Sequence, residues 1–306
     1  MRHNFTLRLI DAIARAGSIR RAAETLSITS TALNRRLLAF EDELGVPIFE
    51  RLPRGVRLTA AGEVVIHHAR LQMSDMERVR SHIADLSGER RGHVSIACSQ
   101  GLLPYFMPQQ IARYRAEHPA VTFTVALRDR EAAEQALTDH SADIALVFEP
   151  NRLAEFHTLV TVRQPVCVVM ASDHPLTKKT TVRLRDCIDY PIGLPTERYG
   201  VRHLIDVAQI RLSFRLNPVI ESDSFEFLRN YPIAENLLSF QIPIGLPAPG
   251  DLASSRVCYR PVDVRDIPAG VLHLGQLRGR SLPIAAARFA EQVARALTDR
   301  FGGTDV

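Results

Sequence analysis

Several features that would indicate a membrane, a metal centre or an extracellular fold are missing from this sequence. No stretch reaches the roughly 18 consecutive apolar residues that a membrane span requires. The N-terminus, residues 1–5, opens directly into an amphipathic pattern and lacks the apolar core of a signal peptide. The four cysteines form no C-x-x-C pair, which argues against a disulfide framework and a zinc knuckle. These absences predict a cytoplasmic protein with no membrane partner and no metal site.

The motifs of common catalytic sites are also absent. The chain has no G-x-x-x-x-G-K-[ST], no G-x-G-x-x-G, no H-E-x-x-H and no G-x-S-x-G. Cys98 and Cys167 lie in apolar strand patterns typical of inert core thiols. His67 and His68 are adjacent on a predicted helix and would face different directions. We therefore expect neither catalysis nor a bound cofactor.

Lysine is almost absent, and arginine carries the positive charge. The only lysines are Lys178 and Lys179. Residues 1–62 hold ten arginines against six acidic residues, an excess of four that equals the net charge of +4 of the whole chain. Because arginine is well suited to bidentate contacts with phosphate and guanine, this basic segment on a neutral body indicates a nucleic-acid partner. An ordinary solvated arginine surface is the alternative interpretation.

The chain of 306 residues, 46% apolar and 24% charged, is long enough for two or three globular domains. A helix predicted over residues 5–16 ends at Gly17, and Ser18 can cap a second, short helix over 19–26. A tight turn then leads to a third helix over 30–44. Two short helices joined by a tight turn are typical of a DNA-binding helix-turn-helix.

A short hairpin is predicted after the third helix. Pro53 and Gly55 indicate a turn between two short strands. This wing bears Arg51, Arg54 and Arg57, which are placed to contact the DNA backbone. A purely solvated role is the alternative for each of the three.

The next helix, predicted over residues 60–86, carries a heptad pattern. Seven positions follow the spacing 4-3-4-3-4-3, and six of them are apolar: Val65, Ala69, Gln72, Met76, Val79, Ile83 and Leu86. Such a narrow stripe predicts pairing with a second copy of the helix, with Gln72 fixing the register. Packing on the core of its own domain is the alternative.

Strands and helices alternate after a polar hinge at residues 87–92. Strands are predicted over 93–98, 121–127 and 143–148, with helices over 102–117 and 131–139 between them, as in a doubly wound parallel sheet. Further strands fit 164–171, 191–194, 217–222, 237–242, 256–261 and 270–274. Further helices fit 201–208, 225–229 and 282–300.

Many residues of the N-terminal segment stand in the order and spacing of a known signature. They are Phe5, Gly17-Ser18, Ala22-Ala23, Leu26, Ala32-Leu33, Glu41, Leu44-Gly45, Phe49, Arg51, Leu58-Thr59 and Ala61-Gly62. The segment resembles the N-terminus of the LysR-type transcriptional regulators. A weaker resemblance continues through Leu103-Pro104, His118-Pro119, Asp143-Ile144-Ala145 and Asp173-His174-Pro175-Leu176.

The resemblance implies an α/β chain in three parts. A winged helix-turn-helix rich in α-helix would occupy residues 1–62, and a dimerising linker helix with its hinge would occupy 63–91. The remainder, 92–306, would be a two-lobed, doubly wound effector domain like a periplasmic binding protein. Lobe I would comprise 92–163 with 268–306, and lobe II would comprise 164–267.

The N-terminal residues of a recognition helix point into the major groove, which selects the candidates for base contact. They are Thr29, Ser30, Thr31, Asn34 and Arg35. Asn34 could pair with adenine, and Arg35 with guanine or phosphate. The family often has serine where Asn34 stands, so its base preference does not transfer to this chain.

Ligands of doubly wound sheets bind outside the carboxyl ends of the strands, near helix N-termini. That rule selects six candidate effector contacts: Ser99, Gln100, Asp129, Phe148, Thr196 and Asp223. Ser99 and Thr196 match positions where members of the family hold effector, and plain helix capping is the alternative for both. Some relatives have an arginine near Phe148, so a phenylalanine there favours a more apolar effector or one held otherwise.

The sequence thus predicts a LysR-type transcriptional regulator that binds double-stranded operator DNA and senses a small molecule. The expected assembly is a homodimer that pairs into a homotetramer, with RNA polymerase as a further candidate partner. Two alternatives stay open. One is a two-lobed binding protein with an appended interaction domain and no operator, and the other is a constitutive DNA binder with a vestigial cleft.

Overall fold

The computed structural model describes residues 2–86, 91–151, 154–247 and 256–302. The chain divides into two compact units. The first unit is formed by the residues up to 89 together with 139–141, and the second by the rest. Among the described residues, no helix is both long enough and apolar enough to cross a bilayer.

In the residues that the structure describes, the first unit contains four helices and a two-stranded hairpin. Its elements are α1 (Arg2–Ala16), α2 (Ile19–Thr25), α3 (Ser30–Leu44), β1 (Phe49–Leu52), β2 (Gly55–Leu58) and α4 (Ala60–Leu86). Buried aliphatic side chains from α1, α3 and α4, among them Ile13, Leu33 and Ala69, form one core with Ile48 and Phe49. This core holds α2 and α3 in the helix-turn-helix arrangement that the sequence predicts.

Local capping explains where these helices begin and end. The Ser18 hydroxyl accepts from the Arg21 amide at the start of α2, and the Thr29 hydroxyl accepts from the Ala32 amide at 3.2 Å at the start of α3. Gly45 ends α3 in the left-handed region at φ +72°. The capping residues of this motif can therefore be read from the sequence.

The second unit contains ten strands and five α-helices in its described residues. In chain order they are β3 (Gly92–Cys98), α5 (Phe106–Glu117), β4 (Val121–Leu127), α6 (Arg130–Thr138), β5 (Ile144–Phe148), β6 (Phe156–Gln164), β7 (Cys167–Ala171), β8 (Ile192–Pro195), α7 (Gly200–Leu212), β9 (Pro218–Ser222), α8 (Phe225–Asn230), β10 (Ser239–Gln241), β11 (Val257–Pro261), β12 (Gly270–Leu277) and α9 (Ile284–Phe301).

These strands form one large sheet and two small ones. The five-stranded sheet has the order β4-β3-β5-β12-β6. Its first three strands are parallel, and β12 runs antiparallel to both β5 and β6. The smaller sheets are the antiparallel β10-β7-β11 and the parallel pair β8-β9. The alternation of parallel strands and helices fits the predicted two-lobed α/β class.

Three details of the predicted sheet need correction. The sheet is mixed rather than wholly parallel, because β12 returns antiparallel between β5 and β6. The nine-residue strand β6 is missing from the prediction, because the exposed side chains of His157, Thr161 and Arg163 interrupt its apolar residues. The strand predicted over 164–171 starts only at Cys167.

One predicted helix is also corrected. The helix predicted over 102–117 begins as a 3-10 turn over Gln100–Leu102, and α5 starts at Phe106.

Candidate nucleic-acid interface and ligand cleft

The first turns of α3 present polar side chains at the surface of the first unit. Ser30, Thr31 and Arg35 are exposed, and Asn34 is half-buried. Leu33 and Leu37 of the same helix are buried in the core. All the base-contact candidates therefore share one end of one helix, and Thr29 caps it there through its hydroxyl oxygen.

The predicted wing is the hairpin of β1 and β2, in which Arg51 pairs with Val56. The Val56 amide donates to the Gly17 carbonyl oxygen at 3.0 Å. At Gly55, with φ +133°, a Cβ atom would lie 2.3 Å from the same oxygen. Only glycine therefore allows the wing to rest on the turn before α2.

The three wing arginines differ in their surroundings. Arg54 is exposed at the turn. The Arg57 guanidinium donates to the Glu50 carboxylate at 2.7 Å, and this hydrogen bond raises the pKa of Arg57 above its ordinary value. The Nη2 atom of Arg51 donates to Oδ1 of Asn34 at 2.9 Å. The sequence groups these arginines by proximity but does not reveal that Arg51 contacts the recognition helix.

Glu41 ties α3 to the first strand of the wing. Its carboxylate accepts from the amides of Ile48 at 2.7 Å and Phe49 at 3.1 Å. Thr59 fixes the other side, since its hydroxyl donates to the Pro47 carbonyl at 2.8 Å and accepts from the Gly62 amide at 2.9 Å. The wing and the recognition helix are thus held by hydrogen bonds between side chains and backbone as well as by the core.

The predicted linker seam divides into two parts. Val65 and Ala69 pack into the core of the first unit, where Ala69 is fully buried. Met76, Val79 and Ile83 are exposed by 42%, 47% and 60%. Gln72 is exposed too, and its Nε2 lies 2.9 Å from Nε2 of His68.

The seam prediction is corrected on this point: its first two positions serve the domain core, because α4 packs against α1 there. Arg70 strengthens that packing through its 2.7 Å ion pair with the nearly buried Asp11. The Leu86 side chain lies outside the described residues.

A small cavity of about 20 Å³ lies in the second unit, enough for a single water molecule. Ser99 follows β3 on one side of it, and Phe148 closes the end of β5. Its walls also include Gly101, Arg130, Tyr199, Gly200, Val201, Phe225, Gln241 and Ile242. Two of the six predicted effector contacts, Ser99 and Phe148, therefore line it directly.

Three further candidates are joined by hydrogen bonds beside this cavity. The Gln100 amide donates to the Asp223 carbonyl oxygen at 2.8 Å and accepts from the Phe225 amide. The Thr196 hydroxyl donates to the Asp223 carboxylate. The Tyr199 hydroxyl donates to the same Asp223 carbonyl at 3.2 Å. Segments far apart in sequence, after β3 and after β9, are thus bridged beside the cavity.

Asp129 has a local structural role in this conformation. Its carboxylate accepts from the Ala132 amide at 2.8 Å and caps α6. Arg130, the next residue, lines the cavity, and its guanidinium donates to the Glu149 carbonyl. Burial lowers the pKa of Arg130, although Glu149 and Glu134 oppose that shift. The sequence places this segment after a strand but does not show which of its side chains turns inward.

The buried cysteines are poor nucleophiles. Burial raises the pKa of Cys98, Cys167 and Cys187 to about 12, so these thiols stay protonated at neutral pH. Within the ranges that the structure describes, no group of three or more His, Cys, Asp or Glu residues could hold a metal ion.

Comparison with known protein families gives two matches that together cover most of the chain. The family model described as "Bacterial regulatory helix-turn-helix protein, lysR family" matches residues 6–63. The model described as "LysR substrate binding domain" matches residues 87–298. The first covers the helices and wing described above, and the second covers the cavity and its bridge.

Individual relatives agree with these matches. A "RuBisCO operon transcriptional regulator" of Allochromatium vinosum is 30% identical over 200 residues, which span 65% of this chain and 66% of that protein, just under two thirds of its length. A full-length OxyR variant from Pseudomonas aeruginosa has a similar fold, with a TM-score of 0.70 at 22% identity over 96% of this chain and 94% of that chain. Full-length CbnR, complexed with its target DNA, gives a TM-score of 0.63 at 18% identity over 96% of this chain and 99% of that chain.

Proposed function

This chain belongs to the LysR family of bacterial transcriptional regulators, and from that premise we propose which of its residues carry the two binding activities of the family. It is a DNA-binding regulator with an effector-binding domain, and the family is not one of enzymes. The matches favour this function over a binding protein without an operator. The assignments below concern individual residues and boundaries.

We propose that α3 reads base edges in the major groove of operator DNA. The observation that carries this proposal is the exposed, Thr29-capped first turn of α3 within the matched helix-turn-helix. Ser30, Thr31, Asn34 and Arg35 face the bases. Arg54 and Arg57 on the wing contact phosphate, and Thr29 does so at the helix N-terminus.

We propose that α4 pairs two copies of the chain. Support comes from the exposed stripe of Gln72, Met76, Val79 and Ile83 at heptad spacing. Two such dimers would form a tetramer. A dimer presents its two recognition helices to half-sites separated by whole turns of DNA, about 10–10.5 base pairs each.

We propose that a small effector binds beside Ser99 and Phe148 and displaces the bridge of Gln100, Thr196 and Asp223. The cavity of about 20 Å³ is too small for such a ligand, so on this proposal binding requires the bridge to open. Its walls of Phe148, Phe225 and Ile242 favour an effector with an apolar body. Ligand binding would then shift a population between closed and open forms.

The remaining assignments follow from the same function. We propose the boundaries 1–62, 63–91 and 92–306 for the DNA-binding, linker and effector parts, with lobe II at 164–267. Because operator DNA in bacteria lies in the cytoplasm, we propose that location for the protein. RNA polymerase is the proposed further partner at the promoters that it regulates.

A selection of bound fragments from a randomised DNA pool tests the function with the full chain. We expect one sequence with two related half-sites to be enriched. Arg35→Ala, which removes a candidate base contact, should relax the enriched sequence at one position of each half-site. If the wild-type protein enriches no sequence, operator binding is not its function.

Effector binding is tested separately, with Ser99→Phe and Thr196→Phe. Each change fills the space beside the bridge, so the response of DNA binding to ligand should disappear while binding without ligand persists. A library of small metabolites supplies the ligand, detected by its thermal stabilisation of the wild-type protein. Stabilisation that is equal in the wild type and both variants would exclude this cavity.

A further inference from the structure

One hydrogen bond joins the recognition helix to the wing. The Arg51 guanidinium on β1 donates from Nη2 to Oδ1 of Asn34 on α3 at 2.9 Å, across 17 residues of sequence. Arg57 of the same hairpin is instead paired with Glu50. Arg54 is exposed at the turn. Of the three wing arginines, Arg51 is therefore the one that contacts a candidate base-reading side chain.

The backbones on both sides of this bond are fixed by other contacts. Glu41 on α3 holds the amides of Ile48 and Phe49, so β1 is attached to the helix just before Arg51. Ile48 and Phe49 are themselves buried in the core. The backbones that carry Asn34 and Arg51 are thus fixed relative to each other, which places the two side chains within hydrogen-bond distance before DNA binds.

The chemistry of the amide then fixes its orientation. An asparagine side chain has one acceptor oxygen and one NH2 group that donates two hydrogen bonds. The guanidinium of Arg51 only donates, so only the oxygen of Asn34 can face it. The NH2 group of Asn34 must point away from Arg51, and the cationic guanidinium lies beside the oxygen.

We propose that Asn34 and Arg51 act as one unit of hydrogen-bond donors that selects guanine over adenine in the operator half-site. In the major groove, guanine presents two acceptors, N7 and O6, whereas adenine presents the N7 acceptor and the N6 donor. Bidentate adenine recognition needs the asparagine oxygen as an acceptor. Here Arg51 already uses one of the two lone pairs of that oxygen and places a cationic donor beside it, which disfavours the approach of a second donor such as adenine N6. Arg51 is then a specificity-determining residue that acts through Asn34.

This inference rests on the proposed role of α3 as the base-reading helix. It also reverses the adenine preference that an isolated asparagine would have. Asn34 alone would read adenine, and Asn34 bound to Arg51 reads guanine.

The experiment uses the full chain and the operator that it selects from a randomised pool. The base pair read by Asn34 is located as the position whose preference is lost in Asn34→Ala. Affinities are then measured for duplexes with guanine or adenine at that position. The variants are Arg51→Ala, the double variant Asn34→Ala/Arg51→Ala, and the control Arg54→Ala, which removes a wing arginine that does not contact Asn34.

We expect the wild type to prefer guanine roughly tenfold, as one good base contact allows. Arg51→Ala frees the Asn34 oxygen, so the ratio should fall to about threefold or less, or reverse towards adenine. Arg54→Ala should weaken both duplexes with the ratio unchanged. The double variant should have the ratio of Asn34→Ala alone, because the two residues act as a unit.

Three results would overturn the inference. A wild-type preference for adenine at that position contradicts the donor unit directly. An unchanged ratio in Arg51→Ala, with lower affinity for both duplexes, makes Arg51 a phosphate contact only. If the wild-type protein enriches no sequence from the randomised pool, both the proposed function and this inference are wrong. Circular dichroism confirms that the variants fold, which the exposure of Arg51 leads us to expect.

Discussion

At the scale of single residues, Arg35 and Arg54 should affect DNA binding in different ways. Arg35 is exposed in the second turn of α3, whereas Arg54 lies at the tip of the wing. Arg35→Ala should weaken operator binding by roughly 1–3 kcal/mol and relax the preference at one position. Arg54→Ala should weaken all sequences alike and reduce the slope of log K against log salt by about 1.

Titrations of each variant at several salt concentrations, on the operator and on a scrambled duplex, separate the two effects. Unchanged operator affinity in Arg35→Ala would mean that another face of α3 meets the DNA. A change of base preference in Arg54→Ala would mean that Arg54 contacts base edges in a groove and not the phosphate backbone.

Asp266 gives a residue-scale prediction for stability. The Arg183 guanidinium donates to this almost fully buried carboxylate at 2.5 and 2.7 Å, and the Leu184 amide donates at 2.8 Å. Hydrogen bonding by Arg183 lowers the pKa of Asp266 below its ordinary value. The pKa of an aspartate in the unfolded chain is about 3.9. Because the pKa of Asp266 is lower in the folded state, the ionised carboxylate stabilises the fold at pH values above the unfolded-state pKa. This stability is lost as the pH falls through the folded-state pKa.

Asp266→Asn should therefore destabilise the second unit by roughly 1–3 kcal/mol at neutral pH. The difference in the free energy of unfolding between the variant and the wild type should narrow as the pH falls below the ordinary pKa of aspartate. Urea unfolding at a series of pH values measures both effects. Glu291→Gln removes an exposed pair with Arg295, at 3.6 Å, and should change little. A destabilisation by Asp266→Asn that is constant with pH would show that packing, and not charge, accounts for it.

At the scale of elements, the linker helix illustrates both the strength and the limit of sequence patterns. The heptad spacing predicts one stripe from Val65 to Leu86. A spacing alone does not state which neighbour covers each position, because α1 can bury the first turns of α4 as well as a second chain can. Ala69, with its small side chain, allows α1 to approach closely, and it lies in the core. The pattern therefore predicts the helix and its apolar side, and the packing decides how much of that side is left for a partner.

We expect Ile83→Asp to weaken self-association of the full chain. Burying an isoleucine side chain contributes roughly 1.5–3 kcal/mol, and a buried unpaired carboxylate adds a further cost. Val64→Asp is the matched control, since Val64 is 71% exposed on the same helix but lies about 100° around it from Ile83.

Sedimentation velocity over a range of concentrations measures the dissociation constant of each variant. If the seam pairs two chains, the dissociation constant should rise tenfold or more in Ile83→Asp and change little in Val64→Asp. Equal sedimentation of the wild type and Ile83→Asp at low micromolar concentration would assign self-association to the second unit.

The strands show the same limit in the second unit. The strand β5 can be read directly as an apolar run, because a strand buried on both faces of a sheet has no polar alternation. The strand β4 can be read from the alternation of Thr122 and Thr124 with apolar residues. The strand β6 alternates between a partly buried face that includes Val160 and Val162 and an exposed face that includes His157 and Arg163, a pattern that matches a half-exposed antiparallel strand as well as a loop. Its pairing with β12 joins residues more than 100 positions apart, which no local pattern can predict.

At the scale of the whole molecule, the sequence identifies the family and the two activities, and tertiary contacts determine which side chains remain available. The candidate cleft is an example. The sequence identifies four of its residues because each ends or directly follows a strand: Ser99, Phe148, Thr196 and Asp223. The sequence does not show that Asp129 caps α6 while Arg130 lines the cavity, because this depends on side-chain directions in the folded chain. That Gln100 bridges to Phe225 depends on a contact across 125 residues.

This bridge leads to a prediction about opening of the cleft. In the closed form, the Phe225 amide donates to the Gln100 side chain, whereas the Phe227 amide in the same helix donates to the Ser224 hydroxyl at 3.1 Å. Gln100→Ala removes the acceptor of the first amide and leaves that of the second. We expect the Phe225 amide to exchange its hydrogen faster in the variant, and the Phe227 amide to keep its rate.

Hydrogen exchange read residue by residue by NMR on the full chain distinguishes a local loss from a general loosening. If the bridge holds the cleft closed, Gln100→Ala should also bind effector more tightly, because less free energy is spent on opening. The apparent affinity rises in direct proportion to the fraction of open protein, so exchange and affinity must agree. Faster exchange at Phe225 with unchanged effector affinity would mean that the bridge is a surface contact and that the effector enters without breaking it.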